Sequence, residues 1–322
     1  MKNIIKIFLF CLIIPIFYSC GAGRIITNNL WRTLTESPEV VINKVENPVK
    51  DNVRLSALWA GHSTVLLQIY DKVILFDPFF ENHFALIFSR KVESALLYEN
   101  LKKLDLIVIT HSHFDHLSFY SLGKLEELYP ETDLIFPAGV EEYMPNFNFR
   151  MYRIDTAGVF SGKFYGKPYF INGIKITPVI AIHTGGRYGI DSYLWRVQGH
   201  SGFILEYKDV CVYYAGDTGY DENAFKKIGE KFDIELAFIP IGPCRNCEER
   251  GFFYHTSVME SVKLFEDIKA KYMIPIHYGT IEYMNDPRVP MRVLEKIIES
   301  DTSSLDLKHK IYILKEGEQI IF

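Results

Sequence analysis

No basic stretch stands out in the 322 residues, and the formal net charge is −5. That balance gives no support to a nucleic-acid partner, and none is expected. Cysteine is scarce: Cys11, Cys20, Cys211, Cys244 and Cys247. Only Cys244-Arg245-Asn246-Cys247 forms a C-x-x-C, and no second pair exists to complete a four-cysteine zinc site. In an oxidising compartment that pair is expected to close as a local disulfide. Cys211 sits in Val210-Cys211-Val212-Tyr213-Tyr214, an apolar strand, and reads as a buried thiol. No internal repeat is clear enough to use. No apolar run reaches the roughly 20 residues of a membrane-spanning helix. What is present is a chain 48% hydrophobic and 15% aromatic, ample for one large α/β core.

The N-terminus differs in kind from the rest. Lys2 and Lys6 precede an uninterrupted apolar and aromatic run, Ile7 to Tyr18, and then Ser19-Cys20-Gly21. A charged start, a short apolar stretch and small residues make a secretory signal. Cys20 after Phe17-Tyr18-Ser19 resembles a bacterial lipoprotein cleavage site. The expectation is a signal peptide at 1–19 and a lipidated Cys20, with residues 20–52 as a linker arm and the domain at 53–322. The protein would then be exported and held on a membrane facing the periplasm or the cell exterior. Cleaved soluble export and an uncleaved anchor are the alternatives. Residues 21–50 carry Asn, Thr, Glu and Pro with few periodic apolars, and no helix is expected there.

The chain is organised around Thr110-His111-Ser112-His113-Phe114-Asp115-His116-Leu117-Ser118. Leu106-Ile107-Val108-Ile109 before it reads as a buried strand, and Leu122, Leu125 and Leu128 after it as a short amphipathic helix. The cluster therefore lies at the carboxyl end of a strand, where open α/β sheets place their sites. Imidazole and carboxylate suit zinc and other borderline divalent ions, and two groups of ligands suggest two ions. Further candidates follow at strand ends. His183 lies beside Gly185-Gly186, Asp217 between Gly216 and Gly219, and His277 after Met273 to Ile276. Asp217 could instead cap a helix. Sorted by geometry, His111, His113 and His183 hold one ion, Asp115, His116 and His277 the other, and Asp217 bridges. Two such ions would lower the pKa of a shared water. His62 and Asp77 are candidates for orienting ligand imidazoles from behind, with a purely structural role as the alternative.

Strands are expected at Leu55–Ala60, Val65–Ile69, Val73–Phe76, Leu134–Phe136, Gly202–Tyr207, Val210–Tyr214, Ile234–Ile241 and Met273–Ile276. Tyr169 to Ile180 reads as a hairpin turning at Asn172-Gly173. Helices are expected at Ala224–Ile228, His255–Ala270 and Val289–Ile298, and a closing hairpin at Lys310–Phe322. Phe79 to Phe88 is either core beneath a loop or a substrate- or membrane-facing patch.

The spacing at 111–116 looks like the H-x-H-x-D-H motif of the metallo-β-lactamase-fold hydrolases. More narrowly, Trp59-Ala60-Gly61-His62-Ser63-Thr64, His113-Phe114-Asp115-His116-Leu117, Ala215-Gly216-Asp217-Thr218-Gly219-Tyr220, Pro240-Ile241-Gly242 and Ile276-His277-Tyr278-Gly279-Thr280 resemble the N-acylphosphatidylethanolamine-hydrolysing phospholipase D branch. The resemblance covers about residues 53 to 300. It implies a four-layer αββα sandwich, two zinc ions and hydrolysis of a phosphodiester or lipid-like substrate. It also places His255 and Arg187 beside the metals, to hold phosphate or assist the leaving group, so Asp115, His255 and Arg187 carry the catalytic expectation. The chain departs from the branch at Cys244 to Arg250 and at Ala181-Ile182, both bordering the substrate side. A zinc-dependent lactonase or other cyclic ester or amide hydrolase is the alternative. A non-catalytic exported binding protein is a third reading, and seven filled ligand positions weigh against it.

Overall fold

The computed structural model describes residues 21–41, 44–84, 88–156, 163–188, 191, 199–251, 254–283, 286–301 and 306–322. The expected signal segment, Cys20, and Leu86 and Ile87 of the apolar stretch lie outside the described residues.

The first element among the described residues is a helix, α1 (Gly21–Thr35), where none was expected. Its Asn, Thr and Gly residues are weak helix formers, which hid it. An arm then follows the domain surface, with Val45 N–H donating to Ala95 and Lys50 N–H to Gln68 Oε1. A meander comes next: β1 (Leu55–Trp59), β2 (Val65–Ile69) and β3 (Lys72–Phe76). β4 (His83–Phe84) and β5 (Phe88–Ser89) make a small ribbon. β6 (Leu106–Val108), α2 (Phe119–Leu128), β7 (Asp133–Pro137) and β8 (Arg150–Ile154) follow, the three strands pairing in parallel. β8 went unread because four of its five side chains are not buried, so it lacks an apolar run.

β9 (Tyr169–Ile171) and β10 (Ile174–Val179) form the expected hairpin. β11 (Gly202–Tyr207) and β12 (Val210–Tyr214) pair antiparallel. α3 (Glu222–Lys231), β13 (Leu236–Pro240), the ribbon β14 (Cys244–Asn246) and β15 (Arg250–Gly251), α4 (Val258–Asp267) and β16 (Tyr272–Ile276) follow. α5 (Val289–Ser300), the short α6 (Leu307–Lys310) and β17 (Gln319–Ile321) end the chain. The expected closing hairpin is thus one short helix and one strand, and β17 pairs with β1 instead of with a neighbour in sequence.

The strands form two mixed sheets, ordered β17-β1-β2-β3-β6-β7-β8 and β16-β13-β12-β11-β10-β9. Alternation explains how they stack. Leu55, Ala57, Trp59, Ile74, Phe76, Leu106 and Val108 enter the core shared with the second sheet. Leu58, Leu75, Ile107 and Ile109 point the other way and pack with Leu122 and Leu125 of α2. The outer face of the second sheet is covered by α3 and α4, which bury Phe225, Ile228, Val262 and Phe265. Each such side chain contributes about 1.5–3 kcal/mol by leaving water. The result is an αββα sandwich. β1, β3, β6, β10, β12 and β16 all end toward one edge, and the candidate residues stand on the turns that follow them.

Candidate metal centre

Each turn at that edge is fixed by local chemistry. Asp77 follows β3 and is fully buried. Its Oδ1 accepts from Thr110 N–H at 2.8 Å and its Oδ2 from Thr110 Oγ1 at 2.7 Å. The same Oδ2 lies 2.8 Å from His116 Nδ1. The loop before the His cluster and one ring of the cluster are therefore tied to one carboxylate. Gly216, before Asp217, has φ of +60°, and a Cβ there would stand 2.8 Å from Thr110 Cβ. Only glycine lets the β12 turn approach the cluster this closely. His62, Asp77 and His277 are non-glycine residues at φ of 55°, 40° and 61°. Such backbone costs about 1–3 kcal/mol per residue and gathers at functional sites.

His111, His113 and His183 converge. His111 Nε2 is 2.9 Å from His113 Nδ1, and His183 Nε2 is 3.2 Å from the same nitrogen. Asp217 Oδ2 lies 3.8 Å from both His111 Nε2 and His183 Nε2. A second group comprises Asp115, His116 and His277. Asp115 Oδ2 is 3.8 Å from His116 Nε2 and 3.7 Å from His277 Nε2. Asp217 Oδ2 reaches this group too, at 3.3 Å from His116 Nε2 and 3.1 Å from His277 Nε2. Asp217 thus stands between the two groups.

The donor set fits a divalent cation. His116 Nε2, His277 Nε2 and Asp217 Oδ1 are buried and have no hydrogen-bond partner among the described residues. Buried polar atoms without partners are costly unless something occupies the space they face. Burial pushes the His111, His113 and His183 imidazoles down, His113 to about 4, leaving them neutral, the form that ligates metal. Burial opposes ionisation of Asp217, but the neighbouring His116, His277 and His255 outweigh it and hold the carboxyl well below its usual range. Burial likewise disfavours charge on His277, yet Asp217 and Asp115 raise it to about 9.

His62 Nε2 is 2.8 Å from Asp115 Oδ2, so His62 supports the carboxylate instead of an imidazole ring. His62 also belongs to the group with Asp115, His116 and His277 that could itself hold an ion. The His62 carbonyl accepts from Trp59 Nε1 and from His277 N–H. Tyr283, which the sequence did not single out, donates its hydroxyl to Asp115 Oδ2. No strand or motif flags it, because its place depends on the loop after β16.

His255 reaches the centre, its Nε2 3.0 Å from Asp217 Oδ2. The expected helix at 255 begins three residues later, because Ser257 and Glu260 form a reciprocal capping box. That leaves His255 on the loop before α4, turned inward. Arg187 has a different task from the expected phosphate contact. Its Nη1 donates to the carbonyls of Ser112 at 3.0 Å and Leu117 at 2.9 Å. Its guanidinium stacks 4.2 Å from the Phe114 ring centre and 4.0 Å from that of Phe119. Arg187 is a clamp on the His-cluster loop. Beside the centre opens a small cleft lined by His62, His277, Tyr283, Ile281 and the Cys244–Cys247 disulfide. The expected disulfide is therefore present at its wall.

Buried imidazoles and carboxylates able to hold metal, at the strand ends of an αββα sandwich, define a metal-dependent hydrolase. The chain belongs to the beta-lactamase superfamily: the Lactamase_B_2 domain model matches residues 72–278. It is 30% identical over 282 residues to the N-acyl-phosphatidylethanolamine-hydrolyzing phospholipase D 1 of Caenorhabditis elegans, covering 83% of this chain and 75% of that protein. A metal-dependent hydrolase of Methanosarcina barkeri is also 30% identical, covering 83% of this chain and 99% of its own. Among solved structures, Igni18, a metallo hydrolase of Ignicoccus hospitalis, matches with a TM-score of 0.58 at 20% identity, over 83% of this chain and 98% of that one. That last likeness supports the fold alone.

Proposed function

We propose that this hydrolase cleaves phosphodiesters, with a lipid-like substrate, using two divalent ions, most simply zinc. His111, His113 and His183 would hold one ion, Asp115, His116 and His277 the other, and Asp217 would bridge. Such ions supply Lewis acidity and an activated water near neutral pH. The chain's own residues do the remainder. Asp77 orients His116 through its 2.8 Å contact, and His62 and Tyr283 hold Asp115. Arg187 keeps the loop of the cluster in place.

The observation that carries the phosphodiester reading is His255. It sits against the bridging carboxylate, its Nε2 3.0 Å from Asp217 Oδ2, with its side chain 14% exposed. A ring so placed can give a proton to a departing alkoxide, and the proton it carries for that step also attracts an anionic phosphodiester more than a neutral lactone. The relationship to the Caenorhabditis elegans phospholipase D supports the lipid-like substrate. The domain is taken as residues 53–322, with 1–19 a signal peptide and 20–52 an arm starting at a lipidated Cys20. On this reading the protein is exported and membrane-anchored, and Cys20→Ser should release it from the membrane fraction or leave a longer precursor.

The test is a panel of bis(p-nitrophenyl) phosphate, an N-acylated phosphatidylethanolamine in vesicles, and a lactone, offered to the zinc-loaded full chain. Phosphodiesters should turn over fastest. His255→Ala should lower that turnover by about 10²-fold with metal content unchanged. Ready lactone opening with every phosphodiester untouched would replace this reading with a lactonase.

A further inference from the structure

α1 is an amphipathic helix turned inside out. At helical spacing, Ile26, Leu30 and Leu34 form one row, and Trp31 lies beside it. In a helix packed on a soluble domain such a row faces the core. Here most of it faces outward: Ile26 is 42%, Trp31 69% and Leu34 74% exposed, and Leu30 is half-buried. The polar side faces the protein. Asn29 is 5% exposed, and Arg32 Nη1 pairs with Glu282 Oε1. Lys91 extends this latch, at 3.4 Å from Glu282 and 3.2 Å from Glu36. The helix is thus latched by ion pairs while Ile26, Trp31 and Leu34 are left uncovered.

Two further observations say what covers them. Ile7 to Tyr18, the apolar run of the sequence, ends three residues before α1 begins, so the chain enters the helix from its most lipophilic segment. Glu282, the residue that latches α1, immediately precedes Tyr283, which touches Asp115 and lines the cleft. α1 is therefore latched to the segment that carries Tyr283 into the metal centre. We infer that α1 is an interfacial helix, which lies in the headgroup boundary of a bilayer and sets the cleft against the lipid surface. Trp and Leu on one face, with polar groups opposite, suit that boundary. The helix itself is 15 residues long, too short to span. A lipid anchor or apolar leader would tether the chain; α1 would orient it. The orienting role rests on the lipid-like substrate reading only where activity is measured.

The experiment uses the full-length chain on phosphatidylethanolamine–phosphatidylglycerol vesicles containing brominated acyl chains. Trp31 emission is the part that disappears in Trp31→Phe. Bromine should quench that part, and the vesicles should shield it from iodide. In a second arm, Ile26→Ser/Trp31→Ser/Leu34→Ser should keep its turnover of bis(p-nitrophenyl) phosphate. It should lose tenfold or more on a phosphodiester lipid in vesicles, since tenfold is already about the transfer free energy of one large side chain and three are removed. If no phosphodiester is hydrolysed at all, the function reading fails while the quenching arm still reports on the helix. Trp31 emission unquenched by bromine and equally open to iodide with and without vesicles overturns the inference. So does Trp31 shielded from iodide without lipid, whether at all protein concentrations, meaning the chain covers its own helix, or only at high ones, meaning a second copy does.

Discussion

The two halves of the metal centre are built differently. In one half, two ligands are held from behind by side chains, His116 by Asp77 and Asp115 by His62 and Tyr283, while the His277 backbone N–H donates to the His62 carbonyl. His111, His113 and His183 lean mainly on one another. Their further contacts are Thr110 Oγ1 at 3.0 Å from His111 Nδ1 and the Tyr254 carbonyl at 3.3 Å from His183 Nδ1. One half is a scaffold that exists before any ion arrives. The other is a cluster of neutral rings brought together by two loops. Preorganisation of ligands by supporting hydrogen bonds sets both affinity and ring orientation. The supported half should therefore be the tighter of the two, and the paired rings of the other half should exchange their ion more readily.

Asp217 belongs to both halves, so its loss should have the largest effect. Asp217→Ala is expected to lower hydrolysis by well over the roughly 100-fold that a supporting residue costs, and to reduce metal content at both groups. Turnover near that of the unaltered protein would mean the two halves do not share a bridge. Asp77→Asn separates them more finely. Asparagine can accept from Thr110 but cannot offer the same charged oxygen to His116 Nδ1. Metal titration of this variant, followed with cobalt absorption, should show affinity reduced by about 10- to 100-fold for one ion, with a smaller loss for the other, reached through Thr110 and His111. Equal weakening of both would remove the distinction between the halves.

Which parts were legible follows from the same physics. β2, β11 and β12 match their expected bounds to the residue, because each is a mostly apolar, largely buried run. The candidate ligands were readable because each stands at the end of such a run. β8 was not, since an exposed edge strand needs no apolar run. α1 was hidden because Gly, Thr and Asn interrupt it, leaving a thin apolar row among weak helix formers. The start of α4 turned on whether Ser257 or a residue near His255 would cap it, a choice made by the Glu260 side chain. Tyr283 and the clamp role of Arg187 depend on loops from distant parts of the chain. A single sequence does not place those loops against the cluster.

Arg187 sharpens the comparison from the weaker side, because it binds the loop that carries His113. Arg187→Lys keeps the charge and loses the planar fork on two carbonyls and the stacking on Phe114 and Phe119. Thermal unfolding should register a loss of about 2 kcal/mol, in the range for hydrogen bonds made by a charged group. KM for bis(p-nitrophenyl) phosphate should change less than kcat. A KM effect with unaltered stability would return Arg187 to the substrate side.

The smallest effect is expected where support is doubled. Asp115 Oδ2 accepts from Tyr283 and also lies 2.8 Å from His62 Nε2. Tyr283→Phe removes only the hydroxyl and keeps the ring beside His277. The remaining His62 contact still fixes the carboxylate, so the loss should be near 1 kcal/mol, about fivefold in affinity for the ion of that half. The same titration used for Asp77→Asn reads it. A loss as large as that of Asp77→Asn would show that His62 does not substitute for the tyrosine. In that case the hydroxyl itself sets the geometry of Asp115, and the preorganisation of this half extends to the loop after β16, next to the residue that latches α1.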